Sequence, residues 1–259
     1  MSKNFELMHE AGIRLEIPAT PAPKPGPSFT VSGKPNGHRN VTQFNLTDKL
    51  TREETLKLVQ NVFLLRGDES PRVVIFAGID PGNGCSSICA HVADVLAGQK
   101  LGSVCIVDAN LRSPALPELY GVSNHYGLTD ALSRKGPIRD FTKVVRSDNL
   151  WLLSCGSLAP DPADSPTMLN SETMKTRITE LRKEFDYVLI DSAPLNTYAD
   201  GVVLGQLADG LVLVLEANST RREAAVKVAE NLRAAQVRIL GAVLNKRTFP
   251  IPESVYDRL

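Results

Sequence analysis

The sequence predicts a doubly wound α/β fold, a mostly parallel sheet with helices on both faces, and three observations predict it. Apolar runs (RVVIFAG, SVCIVDA, LWLLS, YVLID, LVLVLE and RILGAVLN) alternate with segments whose apolar residues recur at helical spacing. Several of these runs are apolar at consecutive positions, as expected of strands covered by helices on both sides. A glycine-rich stretch, GIDPGNGCSS from Gly78 to Ser87, joins the first run to the helix after it. In such sheets ligands bind beyond the carboxyl ends of the strands, so the residues that end the strands are the candidates for chemistry.

Residues 1–44 are expected to form a flexible arm. Pro18 to Pro35 (PATPAPKPGPSFTVSGKP) holds six prolines and two glycines among small residues, a composition that packs no core. The preceding LMHEAGIRLEI reads either as a frayed tail or as a docking peptide. The folded domain is placed at 45–259. Thr51-Arg-Glu-Glu54 has the form of a capping box and predicts the start of the helix TLKLVQNVFLL. RVVIFAG makes the first strand. The spacing of Ile88, Val92, Ala93, Leu96 and Ala97 then predicts a helix over 87–98. SVCIVDA is the second strand, followed by a loop-rich insert to about 148. The remainder reads as LWLLS, a helix over 171–184, YVLID, a helix over 198–208, LVLVLE, a helix over 220–235, and RILGAVLN.

With 259 residues, 42% apolar and 5% aromatic, the chain can bury one substantial α/β core. Its 29 basic residues balance 29 acidic ones, so nothing global favours nucleic acid or an anionic membrane. The start, MSKNFELMHE, lacks the basic-then-apolar pattern of a secretory signal, and every apolar run breaks well before the roughly 20 residues that span a bilayer. The expectation is a cytoplasmic protein with no transmembrane segment of its own. Cys85, Cys89, Cys105 and Cys155 lie on or beside predicted core elements without zinc-type pairing, which suits reduced thiols. Cys85 and Cys89 are one helical turn apart, but two further metal ligands are not evident.

Three strand ends carry the chemistry. After the first strand, backbone N–H groups of Gly82, Asn83, Gly84, Cys85, Ser86 and Ser87, at the start of a helix, can surround phosphate oxygens. After the second come Asp108-Ala-Asn110-Leu-Arg112, and after DYVLI comes Asp191-Ser-Ala-Pro194. A hydroxyl at the helix start and aspartates at neighbouring strand ends are the parts that hold Mg²⁺ and its waters. Ser86 and Asp191 fit the metal roles, and Asp108 fits orientation of water or acceptance of a proton. Asp108 and Asp191 are therefore the candidate catalytic pair, and Ser86, Asp108 and Asp191 the candidate metal set. A strand-ending Asp is also often only a helix cap. Arg112 reads equally as a cation that reaches phosphate or as a structural ion-pair residue. Where the phosphate loop demands lysine, this chain has Cys85. That residue reads as a small buried thiol filling the lysine's space, or as a thiolate favoured by the helix dipole.

From Thr51 to Leu259 the sequence resembles the bacterial tyrosine kinases of polysaccharide synthesis and export, within the deviant P-loop class that also holds the Min and Par ATPases. The resemblance rests on PGNG after GID, VCIVDANLRSPALPELYGV, YGLTDAL, CGSLAPDPADSP, FDYVLIDSAPL and GAVLNKRTFP. It implies ATP and Mg²⁺ as cofactors, a membrane chain-length or export protein as partner, a position at the inner membrane through that partner, and the capacity for homo-oligomers. It also implies that Asn245, ending the last strand, meets the adenine edge, where an amide offers donor and acceptor together; otherwise Asn245 is a strand-ending turn residue.

The departures from the family pattern fall on its catalytic and assembly parts. Cys85-Ser86-Ser87 stands where the family has Lys followed by Ser or Thr, Asn110 replaces the second acid of Asp-x-Asp-x-Arg, and Ala193 replaces a proline. The helix that carries Glu-x-x-Arg-x-x-Arg in the family, tied to ring assembly, has Leu56 and Val59 at the arginine positions, so both are expected to be buried against this domain or a partner. Tyr256 stands alone in place of a tyrosine cluster. The expectation is a regulatory or assembly protein deficient in kinase activity, with weak or absent ATP binding. The alternatives are an active autokinase or ATPase and, third, a Min/Par-like positioning ATPase, which has a further lysine early in the loop where Ile79 and Asp80 stand here. LRSPALPELY offers Leu111, Leu116 and Leu119 as a docking surface, with core packing as the rival explanation.

Overall fold

The computed structural model describes residues 49–64, 70–156 and 165–247. The Pro-rich arm, the centre of CGSLAPDPADSP and the segment bearing Tyr256 lie outside the described residues. Seven strands form one sheet: β1 (Val73–Gly78), β2 (Val104–Asp108), β3 (Lys143–Val145), β4 (Ser147–Leu153), β5 (Tyr187–Ser192), β6 (Gly210–Glu216) and β7 (Ile239–Asn245). Their order is β3-β4-β2-β5-β1-β6-β7, and every pairing is parallel except β3 with β4. The helices are α1 (Lys49–Val59), α2 (Cys85–Gly98), α3 (Leu116–Tyr120), α4 (Leu128–Ser133), α5 (Ser165–Leu169), α6 (Glu172–Glu184), α7 (Asp200–Gly205) and α8 (Arg222–Ala234). This is the doubly wound α/β architecture that the alternating runs predict.

The consecutive apolar residues of the strands divide between two cores. On one face Val73, Ile75, Cys105, Val107, Val188, Ile190, Leu211 and Leu213 meet residues of α4, α6, α7 and α8. On the other, Val74, Phe76, Val104, Ile106, Leu189 and Val212 meet α1, α2 and α3. Because side chains alternate across a strand, a strand buried on both faces must be apolar at every position. β7 is an edge strand, and its residues are only partly buried or exposed.

Several local expectations are corrected. The first helix is already formed at Lys49, so Thr51 lies inside it, and the Glu54 carboxylate pairs with Lys57. α2 begins at Cys85 and α7 spans only Asp200–Gly205, shorter than the periodicity over 198–208 implied. The insert expected to be loop-rich holds α3, α4, a 3-10 turn at Ile138–Phe141 and the antiparallel strand β3. Elements of three to six residues are too short to show a period. α6 is capped by Ser171, whose hydroxyl accepts the Met174 N–H at 3.1 Å.

Leu111 and Leu116 are buried and Leu119 packs against the core beneath α3, so the proposed docking surface is core packing. Val59 is fully buried and Leu56 packs beside it, so the apolar residues at the family's arginine positions serve this domain's own core.

Candidate functional site

The phosphate loop leaves β1, an interior strand beside the central β5. Gly82 and Gly84 sit at φ of 83° and 82°, a left-handed conformation that glycine adopts without penalty. Gly84 is needed twice over, since a Cβ there would stand 2.4 Å from the Asn245 Nδ2 atom. Asn83 is buried, and its side-chain oxygen accepts the Asp80 N–H at 2.8 Å. Three outside contacts fix the loop. Asn245 Nδ2 donates to the Asn83 carbonyl at 2.9 Å, Lys246 Nζ to the Gly82 carbonyl at 2.7 Å, and Asn196 Nδ2 to the Asp80 carboxylate at 2.7 Å. Lys246 also pairs with Glu216 at 3.2 Å. The loop is thus tied to the ends of β5, β6 and β7, and with its carbonyls so engaged the N–H groups at the start of α2 are the ones available to an anion.

Behind the loop lie two buried carboxylates. Asp108 and Asp191 are register partners on adjacent strands. Ser86 Oγ donates to Asp191 Oδ2 at 2.5 Å, while buried Oδ1 of Asp191 finds no N–H or O–H donor among the described residues. Burial pushes the Asp191 carboxyl up to about 6, against the pull of Ser86 and the Cys85 thiol. Burial first, and then the charge of Asp191, raise Asp108 well above the ordinary carboxylate range. Asp108 is also a cap: its Oδ2 accepts the N–H groups of Ala115 and Leu116 at 3.0 Å each, and its Oδ1 accepts that of Asn110 at 3.2 Å. It therefore organises the turn that carries Asn110 and Arg112.

Cys85 is partly exposed rather than sealed in the core. Desolvation, followed by the Asp191 charge, holds its thiol well above the ordinary range, so the thiolate expected from the helix dipole is not favoured. Two negative groups cannot share so small a space, and the carboxylate has the stronger claim to ionisation.

A cavity of about 410 Å³ opens in front of these residues, and Gly82, Asn83, Gly84, Cys85, Ser86 and Ser87 all line it. Asn110, Arg112 and Tyr198 line it as well. Arg112 donates from Nε to Asp200 at 3.3 Å and stacks over the Tyr198 ring at 4.0 Å, so the ion-pair reading of Arg112 holds while its place at the cavity leaves phosphate contact open. Asn245 touches the loop from outside, in contact with Asn83. The predicted set thus converges, except that Asp108 and Asp191 lie behind the cavity and Asn245 beside it. Wider clefts of about 520 and 630 Å³, one between α4 and α6 and one beside Lys100 and Asn149, lie away from the loop.

Mg²⁺ fits what is present. Ser86 offers a hydroxyl and Asp191 a buried oxygen in want of a partner. No group of three or more His, Cys, Asp or Glu side chains converges among the described residues, so phosphate oxygens and water would complete the shell, as is usual for this ion.

Sequence reasoning missed Asn196, Tyr198, Asp200 and Lys246. Only Lys246 had a signal, being next to Asn245 at a strand end. The other three follow β5 in a stretch with no pattern, SAPLNTYAD.

A parallel sheet with a glycine loop, a helix-start hydroxyl and two strand-end aspartates defines a P-loop nucleotide-binding class. No family model matches the chain. Among curated proteins, it is 31% identical over 207 residues to the tyrosine-protein kinase YwqD of Bacillus subtilis, covering 80% of this chain and 86% of that one. It is 30% identical over 183 residues to the succinoglycan biosynthesis transport protein ExoP of Rhizobium meliloti, covering 71% of this chain but 23% of that longer protein. The crystal structure of the chimerical protein CapA2B2 superposes with a TM-score of 0.73 at 22% identity, covering 81% of this chain and 90% of that chain. The chain belongs to the bacterial tyrosine kinase family.

Proposed function

We propose that this chain is a kinase-deficient member of its family that binds nucleotide weakly and acts as a regulatory or assembly partner of a membrane polysaccharide chain-length or export protein. The observation that carries this reading is Cys85, at the lysine position and facing the cavity. The loop lysine makes a charge-assisted phosphate contact of the kind worth about 1.5–3 kcal/mol, and its loss weakens binding by roughly 10- to 100-fold. Transfer suffers more, because the lysine also meets charge that develops on the moving phosphoryl group.

The remaining residues support binding without efficient transfer. Backbone N–H groups at the start of α2 meet phosphate oxygens. Ser86 and Asp191 would hold Mg²⁺, which when bound bridges phosphate oxygens and offsets their charge. Asp108 has the position for a proton acceptor, but its oxygens already accept three backbone N–H groups. Asn110 supplies no second acid.

Purified protein given radiolabelled ATP with Mg²⁺ should acquire no appreciable phosphotyrosine. Stoichiometric labelling that disappears in Asp191→Ala would establish an active autokinase instead, a reading favoured by the preserved Ser86–Asp191 contact. A Min/Par-like positioning ATPase is disfavoured, since Ile79 is fully buried and Asp80 is bonded to Asn196 where that group has its extra lysine.

The polysaccharide role and the membrane partner come from the family and from the named role of ExoP. No helix among the described residues is long and apolar enough to cross a membrane. A cytoplasmic protein, peripheral at the inner membrane, should therefore sediment with membranes only when its partner is co-expressed; sedimentation without the partner counts against that reading.

A further inference from the structure

We infer that Arg112 takes over the phosphate charge of the missing loop lysine, and that Asp200 and Tyr198 are positioning residues that hold its guanidinium at the mouth of the loop. This inference rests on the nucleotide reading above. Among the described residues that line the cavity, Arg112 is the one cation and Asp80 the one anion. A polyphosphate entering beside Gly82–Ser87 therefore meets the Arg112 charge from the turn after β2 rather than from the loop itself, while Lys246, which holds the Gly82 carbonyl and is paired with Glu216, is not among the lining residues.

Three contacts fix that charge. The turn bearing Arg112 is pinned on both sides by Asp108, which accepts the Asn110 N–H before it and the Ala115 and Leu116 N–H groups after it. The guanidinium face lies 4.0 Å from the centre of the Tyr198 ring. Its Nε donates to Asp200, which is fully buried, while Arg112 itself is 14% exposed. The other Asp200 oxygen is buried without a donor among the described residues. A buried carboxylate so short of partners holds its cation strongly, because leaving it unpaired is costly. Arginine suits the position where lysine would not, since a planar guanidinium can stack, pair through Nε and still present other N–H groups in fixed directions. A cation fixed before binding loses little freedom when phosphate arrives.

Calorimetric titration with Mg-ADP, in parallel on parent, Arg112→Met, Arg112→Lys, Asp200→Asn, the Arg112→Met/Asp200→Asn double variant and Cys85→Lys, tests this. The parent should bind, and Arg112→Met should weaken binding at least tenfold. Asp200→Asn should weaken it about threefold, and the same change should add nothing in the Arg112→Met background, a coupling that general loss of stability would not produce. Should Arg112→Met fail to fold, Arg112→Lys, which keeps the charge, should still lose about threefold. Parent binding with Arg112→Met unaffected, or Arg112→Lys equal to the parent, overturns the inference and leaves the nucleotide reading standing. An unchanged or tighter affinity in Asp200→Asn overturns the positioning role. A parent that does not bind while Cys85→Lys does also overturns the inference, since Arg112 would then replace nothing. Failure of both to bind removes the nucleotide reading itself.

Discussion

The Ser86 hydroxyl donates to the Asp191 carboxylate at 2.5 Å, and the neighbouring Cys85 thiol faces the same carboxylate, so the first turn of α2 is closed onto the end of β5. In the family pattern a lysine stands at that point. Here a buried negative group is offset by weak neutral donors, and consequences for stability, reactivity and binding follow from that substitution.

Stability without nucleotide should fall as pH rises through the range set by Asp191. Its folded carboxyl titrates near 6 against an ordinary value of 3.8, so between those values the folded state binds more protons than the unfolded state. The penalty is complete above about pH 6 and relieved as pH falls toward 4. Asp108 is displaced in the same direction. Asp191→Asn should therefore stabilise the protein at pH 7.5 by on the order of 2–3 kcal/mol, with the gain gone near pH 4. Thermal melts across this range check it; a parent that gains stability with pH while the variant does not would reverse the sign.

Cys85 should react slowly despite its exposure. Alkylation needs thiolate, and burial together with Asp191 raises the thiol well above its ordinary range. Iodoacetamide at pH 7.5, followed by mass spectrometry, should label Cys85 in the folded protein at least tenfold more slowly than in urea. Asp191→Asn should accelerate labelling, because it removes the repelling charge. Equal rates in folded and unfolded protein would show that the thiol is not held in this environment.

Gly84→Ala should cost more than Gly82→Ala. Both positions require positive φ, a strain of about 1–2 kcal/mol for alanine, but only at Gly84 would the new methyl meet Asn245, at 2.4 Å. Asn245→Ala removes the obstacle along with its 2.9 Å bond to the Asn83 carbonyl, so the Gly84 and Asn245 changes should combine to less than their sum. Chemical denaturation of the parent, the three single variants and the Gly84→Ala/Asn245→Ala double variant measures this. Strict additivity would mean that Asn245 does not press on the loop.

Cys85→Lys should strengthen Mg-ATP binding at least tenfold, since Gly82, Gly84, Ser86 and the start of α2 are already arranged for phosphate. The new ammonium would also draw the Asp191 carboxyl down and shrink the loss of stability with pH. Phosphorylation should stay low, because Asn110, in place of the family's second acid, is untouched. Calorimetry and radiolabel transfer read the two halves separately; unchanged affinity would mean residue 85 does not reach the phosphates, and full kinase activity would mean the other departures are harmless.

Much of this protein is a local matter of sequence. Strands β1, β2, β5 and β6 were legible because burial on both faces demands uninterrupted apolar residues, and α2 because its apolar positions share one face. The loop, Ser86 and the two aspartates were legible because they sit at strand ends, where such sheets bind ligands, and the absent lysine was legible as a single letter. The tertiary structure alone decided what those letters do. Asp108 could be read as acid or cap, and only the approach of Ala115 and Leu116 made it a cap. Cys85 could be thiol or thiolate, and only desolvation in the fold, followed by the charge of Asp191, favoured the thiol. Leu111 and Leu116 could be surface or core, and only the packing of α3 buried them. Arg112 and Asp200 are 88 residues apart, and no local pattern joins them. Protonation and pairing depend on which charges the folded chain brings within a few ångströms under low dielectric, a property of space that the order of residues does not display.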